Sequence, residues 1–128
     1  MSKNDIVNEF KKHLISFLDE CIEFYPGEPD FVMARIYVST QCDIIYTINT
    51  LNFLLQKNNG EFINMIKDRN EKFFIDHNIF GELLGNEKSN HFKRIWNSSV
   101  TDEENKTVIW EWIDLFVSLT EKYTKLKN

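Results

Sequence analysis

The chain has 128 residues, of which 42% are hydrophobic and 27% charged, and this length and composition suit one folded domain rather than a disordered tail. It contains only four glycines and two prolines, so turns are few and a many-stranded sandwich or barrel is disfavoured. The formal net charge of −5 argues against nucleic-acid binding as the default function, because nucleic-acid binders usually carry a basic face.

The first predicted element is an amphipathic helix over residues 5–25. Ser2 and Asp5 can form a capping box ahead of it, and Pro26-Gly27 ends it because proline cannot continue the hydrogen-bond ladder. At about 100° per residue, one side of this helix collects its apolar residues: Ile6, Phe10, Leu14, Phe17, Leu18, Cys21, Phe24 and Tyr25.

A long helix is predicted over residues 30–57, with strand as the competing assignment because β-branched side chains are frequent there. Strict alternation fails at Ile44-Ile45 and Leu54-Leu55, which disfavours a strand. Helical spacing instead relates a set of apolar residues: Tyr37, Ile44, Ile48, Leu51 and Leu55. We predict one long helix that ends at Asn58-Asn59-Gly60 and leaves room for a bend near Ser39–Asp43.

Short helices are predicted between residues 61 and 97, followed by a C-terminal helix over residues 102–125. Thr101 and Glu104 match a capping box for this last helix. Its apolar positions span roughly 220° of the circumference, from Leu115 at one edge to Trp110 at the other. A helix lying on a surface needs a stripe only a little over about 100° wide. The helix is therefore either wedged between neighbours or exposes one edge to a partner.

These elements predict an all-α fold. We expect a compact single-domain bundle over residues 1–128, with about five or six helices of which two or three are long. The chain shows neither an internal repeat nor a linker long enough to separate two domains.

The residues that could carry catalysis do not form a recognisable constellation. His13, His77 and His91 fall in three different elements without a nucleophile motif nearby, and the single glycines form no phosphate-binding loop. Cys21 and Cys42 are too few for a disulfide scaffold or a zinc site, and their apolar neighbours predict reduced, buried thiols. We therefore predict that the protein is not an enzyme and that it binds no cofactor and no metal.

Aromatic residues are the feature of the sequence that favours a protein-binding function. Trp and Tyr are favoured anchors of protein interfaces, although each can equally belong to the core. Trp112, Phe116 and Ile109 are assigned to the core. The candidate interface residues are Trp110, Leu115, Phe73, Phe74 and Trp96.

Three segments of the C-terminal half carry a resemblance: Glu71–Ile75, Ile95–Ser98 and Val100–Trp110. Together they resemble small helical proteins of unknown function encoded by nucleocytoplasmic large DNA viruses, whose pattern is close to D-x-F-F, a loop, IWxS and (L/V)S-(D/E)-x-x-K-x-x-IW. The chain departs from this pattern at Glu71, Thr101 and Trp112, and by one extra residue before Lys106. The resemblance implies a viral source and brings no catalytic residues with it.

From these observations we expect a non-enzymatic protein–protein interaction protein of a large DNA virus, virion-associated or assembly-related. Its partner would be a viral or host protein or a second copy of the chain, with no membrane and no small-molecule substrate involved. Because residues 1–5 lack the apolar core of a signal peptide, we expect the protein to stay in the cytosol, the nucleus or a particle assembled there. The resemblance implies that this location is the host cytoplasm or viral factory, or the virion itself. The alternative is a regulatory binding module acting on host or viral gene expression, which could contact nucleic acid through Lys93-Arg94 or the lysine-rich tail.

Overall fold

The computed structural model describes residues 2–76, 93–98 and 101–126, and within these ranges the regular backbone is helical, with no strand. The elements are α1 (Lys3–Phe24), α2 (Pro29–Thr40), α3 (Ile44–Gln56), a 3₁₀ turn (Lys57–Asn59), α4 (Glu61–Asp68), α5 (Glu71–Asp76), a helical turn at 93–96 and α6 (Glu103–Lys125). The prediction of an all-α helical bundle is confirmed. The short elements expected between residues 77 and 92, together with His77 and His91, lie outside the described residues.

Helix α1 begins and ends where the sequence places its caps. The Asp5 amide donates to Ser2 Oγ at 3.1 Å and the Ser2 amide donates to Asp5 Oδ2 at 3.0 Å, which completes the predicted capping box. This bond from the Ser2 amide also lowers the pKa of Asp5. The helix stops at Phe24, ahead of Pro26, and buries Ile6 and Phe10 on its apolar side.

The single long helix predicted over residues 30–57 is instead two helices, because residues 41–43 separate α2 from α3. The Ser39 and Thr40 hydroxyls donate to backbone carbonyls four residues earlier, at 2.9 Å and 2.7 Å, and such bonds bend helices. The Asp43 carboxylate then accepts from the Tyr46 amide at 3.0 Å and caps α3. The break falls inside the stretch Ser39–Asp43 where a bend was allowed.

The end of α3 agrees with its sequence signal. The helix ends at Gln56, and the chain passes through Asn58, Asn59 and Gly60, all with left-handed φ angles of 54°, 59° and 82°. Asparagine and glycine are the residues that most readily adopt this conformation, which is why Asn58-Asn59-Gly60 is a strong helix stop.

Two hydrophobic clusters form the core. The first is built from α1, α2, α3 and α6, and its buried members are Ile6, Phe10, Leu18, Val38, Ile44, Ile48, Phe116 and Leu119. The second is built from α3, α4, α5, the turn at 93–96 and α6, and its buried members are Leu54, Leu55, Phe62, Met65, Ile66, Phe74, Trp96, Ile109 and Trp110. Helix α6 contributes to both clusters, and this accounts for its wide apolar arc: the helix is wedged between neighbours.

The start of α6 differs from the prediction in one detail. The N-cap is Asp102, whose carboxylate accepts from the Asn105 amide at 2.8 Å, rather than Thr101. The Thr101 hydroxyl is buried and instead lies 2.7 Å from both the Tyr25 hydroxyl and the Ile95 carbonyl oxygen. Thr101 therefore ties the end of α1 to the turn at 93–96, and the ionised Asp102 takes the position that favours negative charge.

Helix α6 also buries one hydroxyl without a partner. Thr120 is fully buried, and its Oγ1 finds no hydrogen-bond partner within the described ranges. We expect Thr120→Val to raise the free energy of unfolding by about 1 kcal/mol, because it removes an unpaired buried hydroxyl while keeping the side-chain shape. Urea unfolding measures the change. Thr107→Val, at an exposed position of the same helix, is the control and should shift stability by less than about 0.5 kcal/mol. A loss of stability in Thr120→Val would contradict this prediction.

Candidate interaction surface

The aromatic residues predicted as interface anchors form part of the second cluster instead. Trp96, Phe74 and Trp110 are at most 6% exposed, with ring centroids 4.9–5.9 Å apart. Their assignment to an interface is therefore wrong: aromatic rings in edge-to-face and tilted contact bury one another. Phe73 is half-buried against Phe62, with ring centroids 5.4 Å apart, and also packs against the second cluster.

Leu115, the remaining candidate, is half-buried and packs against the first cluster. Trp112, which was assigned to the core, is half-buried between Phe17 and Phe116, and its Nε1 donates to the Glu20 carboxylate. The broad apolar arc of α6 thus contributes to both hydrophobic clusters.

Charged side chains frame the second cluster. Glu71 Oε1 accepts from Trp96 Nε1 at 2.7 Å and from Lys106 Nζ at 2.6 Å, while Lys106 Nζ lies 5.4 Å from the centre of the Trp96 ring. On the other side, Arg69 forms a bidentate pair with Asp114 and lies 5.4 Å from the centre of the Trp110 ring. Glu71, Trp96 and Lys106 come from the three segments that resemble the viral proteins. In the fold they contact one another beside the second cluster, so their role here is structural.

This arrangement makes stability depend on pH. The hydrogen bond from Lys106, followed by that from Trp96, holds the pKa of Glu71 below its usual 4.5. A carboxyl whose pKa is lower in the folded state stabilises the fold above pH 4.5, and this stabilisation is lost as the pH falls through the folded value. Glu71→Gln is expected to lower the free energy of unfolding at pH 7 by about 0.5 kcal/mol, because the carboxylate is partly exposed and screened.

Urea unfolding of this variant at pH 7 and at pH 3 tests the assignment. The deficit relative to wild type should be smaller at pH 3, because the stabilisation from the Glu71 carboxylate is lost as the pH falls below 4.5. The control is Glu104→Gln, which removes the same charge from an exposed position in the first turn of α6. An equal deficit at both pH values would contradict an electrostatic role for Glu71.

Other polar and ionisable side chains of the described residues have structural partners or are buried. Burial raises the pKa of the Cys21 thiol to about 12, which makes it unreactive, and Cys42 is half-buried rather than buried as predicted. His13 bonds to Glu9 at 3.1 Å on the side of α1. An open cleft of about 430 Å³ lies beside Tyr25 and Arg94, but burial raises the pKa of Tyr25 and its hydroxyl is already bonded to Thr101.

None of the helices described is both long and apolar enough to cross a membrane. The described residues contain no group of three or more histidine, cysteine, aspartate or glutamate side chains placed to hold a metal ion.

Helix α2 exposes an apolar face. Its inner side packs Phe31, Ala34 and Val38 against the first cluster. The opposite side, an arc of roughly 140° at about 100° per residue, presents only apolar and aromatic residues and one threonine: Val32, Met33, Ile36, Tyr37 and Thr40. A helix that is apolar on both faces is normally buried on both. In α2, however, the outer face is open.

Helix α3, like α2, has one buried side and one exposed side that is also apolar. Ile44, Ile48 and Leu55 are buried, whereas Ile45, Tyr46 and Phe53 are exposed. Tyr46 and Phe53 are seven residues apart, so two helical turns place them along one line of the helix.

Residues 41–43 connect α2 to α3, and both helices pack their inner sides on the same first cluster. The Tyr37 carbonyl accepts from the Gln41 and Cys42 amides at 2.8 Å and 3.0 Å, and Asp43 caps α3 at Tyr46. Two hydrogen-bonded turns thus connect Tyr37 to Tyr46. We call the exposed set the α2–α3 surface; its members are between 44% and 68% exposed: Val32, Met33, Ile36, Tyr37, Ile45, Tyr46 and Phe53.

Charge is scarce across this surface. Between Phe31 and Gln56 the only charged residues are Arg35 and Asp43. Arg35 pairs with Asp19 of α1, and Asp43 is occupied as the cap of α3, where the helix dipole offsets its charge. In the described part of the chain, every large hydrophobic residue that is exposed belongs to the α2–α3 surface.

Comparison with protein-family models, with curated proteins and with solved structures finds no match to this chain. Sequence reasoning missed the α2–α3 surface because it assigned the apolar residues of 30–57 to one face of one helix. The signal was present in residues 31–38, where seven of eight positions are apolar or aromatic, more than one helical stripe holds.

Proposed function

We propose that this protein acts by protein–protein contact, without catalysis, and that the α2–α3 surface is where its partner docks. The observation that carries the proposal is the area of that surface. With whole-residue areas of roughly 150–250 Å², its seven residues together expose roughly 800 Å². The largest apolar patch on a typical monomer is about 300–600 Å² and is itself often functional.

The residue types also fit a protein partner. Tyr, Phe and Met are enriched at the centres of protein interfaces, whereas charged residues are depleted there. Tyr37 and Tyr46 each combine a large apolar ring with a hydroxyl that can bond a partner. A lipid surface is a poorer fit, because helices that lie on membranes carry Lys and Arg on the polar face, and Arg35 is the only cation between Phe31 and Gln56.

The setting we propose is infection by a large DNA virus, with the protein virion-associated or used in assembly. This part of the proposal is supported by the sequence resemblance of Glu71–Ile75, Ile95–Ser98 and Val100–Trp110. Within the fold those segments contribute to the second cluster and its charged frame. The resemblance thus concerns the scaffold, and the α2–α3 surface lies outside the resembling segments.

Site-specific photocrosslinking tests the docking surface. A benzophenone amino acid at Tyr46, irradiated in the cells that produce the protein, is expected to give a discrete adduct. The same group at Ser118, an exposed position on α6, should give none. The crosslinked protein, once identified and purified, should bind the wild-type chain directly, and Met33→Glu should weaken that binding at least tenfold. An absence of adducts at Tyr46 beyond those at Ser118 would overturn the proposed function.

A further inference from the structure

We infer that the α2–α3 surface is a self-association interface, and that its occupant is a second copy of this chain. The inference rests on the proposed function and goes further by naming the partner. Three properties of the surface support it: its area, its charge relative to the rest of the molecule and the uncharged polar groups among its apolar residues.

The exposed area matches what a dimer needs. A standard stable interface buries about 800 Å² on each partner, and the seven residues of the α2–α3 surface expose roughly that much. A two-fold dimer uses the same patch on both copies, so one patch of this size supplies both halves of the interface. The aromatic and methionine side chains at its centre are those that dominate such contacts.

The α2–α3 surface differs from the other exposed faces in carrying almost no charge. The outer face of α1 carries Asp5, Lys12, Asp19 and Glu23. A second set of exposed charges lies on α6: Glu103, Glu104, Glu111, Asp114, Glu121, Lys122 and Lys125. Because a two-fold contact sets each face against itself, an acidic face of this chain would meet an equally acidic face. With a net charge of −5, the chain avoids this repulsion at the nearly uncharged α2–α3 surface.

Uncharged polar residues are interspersed among the apolar ones. Thr40, Gln41, Asn49 and Gln56 are exposed along α2, the connection and α3. Their hydroxyl and amide groups can donate and accept at once, so they can hydrogen-bond to the same groups of a second copy across a two-fold axis.

Sedimentation equilibrium of the purified full chain, from low micromolar to a few hundred micromolar, tests the inference. Wild type should fit a monomer–dimer equilibrium. Met33→Glu and Tyr46→Glu should each raise the dissociation constant at least tenfold, because each places two like charges in one apolar interface. Ser118→Glu, an exposed position on α6 that gains the same charge, should leave the constant unchanged. Circular dichroism should show that all three variants keep wild-type helicity, since the altered side chains are exposed.

A mixing experiment adds a test that loss of folding could not mimic. Equal amounts of Met33→Glu and Met33→Lys chains should associate more tightly than either variant alone, because opposite charges then face each other. Wild type that stays monomeric at the highest concentration would overturn self-association, as would a dimer that Ser118→Glu weakens and Met33→Glu does not.

The crosslinking experiment shows whether a negative result overturns self-association alone or the proposed docking surface as well. An adduct of twice the chain mass at Tyr46 supports self-association. An adduct with a different protein, together with monomeric wild type, overturns self-association and leaves the docking surface standing. An absence of adducts together with a monomer overturns both.

Discussion

Trp96→Ala is expected to lower the free energy of unfolding by about 3–5 kcal/mol, the usual cost of truncating a fully buried aromatic residue. The Trp96 ring contacts both Phe74 and Trp110, so its removal leaves a cavity between two rings that cannot close it by a change of rotamer. It also removes the Nε1–H bond to Glu71. Since a small domain has only about 5–15 kcal/mol of stability, this variant should unfold at far lower urea concentration than wild type.

Trp96→Phe separates the two contributions. It keeps an aromatic ring in the cluster but removes the indole N–H and part of the buried volume, while Lys106 still holds Glu71 at 2.6 Å. We expect it to cost about 1–2 kcal/mol, because a hydrogen bond to a charged group is worth about 1.5–3 kcal/mol and part of it is recovered by water. Equal losses in the two Trp96 variants would show that packing in the second cluster is not what Trp96 supplies.

Ile48→Ala is expected to cost about 2–5 kcal/mol through the first cluster. Ile48 is completely buried among residues of α1, α2 and α6, so truncation removes apolar contacts on several sides. The matched control is Ile45→Ala, one turn away on the same helix and 45% exposed. That control should change the free energy of unfolding of the monomer by less than about 1 kcal/mol.

Both variants should be measured by urea unfolding at one low chain concentration. If the chain dimerises, association stabilises the folded state and adds a contribution that depends on concentration. An Ile45→Ala variant as unstable as Ile48→Ala would contradict the division of α3 into an inner and an outer face.

Much of the fold follows from local sequence signals. The Ser2–Asp5 capping box, Pro26 and the Asn58-Asn59-Gly60 stop are contained within a few residues, and each marks a helix end close to the predicted position. The break at residues 41–43 was harder to predict because its signals are ordinary in isolation. Ser39 and Thr40 occur within helices, and only their hydrogen bonds to the preceding turn show that they bend this one.

The candidate site could not be found in the same way because burial depends on distant partners. Trp110 stands at the edge of a wide apolar arc, and the sequence does not reveal that α4, α5 and the turn at 93–96 cover that edge. Tyr37 is the opposite case: it was placed on the buried face of the predicted helix, and it is exposed. A continuous helix places it on the face of Ile44, whereas the break at residues 41–43 changes the phase and leaves Tyr37 exposed. Because the sequence analysis treated residues 30–57 as one helix, the exposed α2–α3 surface was not recognised from the sequence.

The pairing of α1 with α6 has a consequence for synthesis on the ribosome. Glu20 of α1 bonds to Trp112 of α6, 92 positions later, and Phe10 packs on Phe116 with ring centroids 5.1 Å apart. At about 5–20 residues per second, roughly 5–20 seconds separate the emergence of these partners. During that interval α2 and α3 can already pack on α1, but the part of its apolar side that α6 covers stays exposed. We therefore expect nascent chains to be held by chaperones until α6 has emerged.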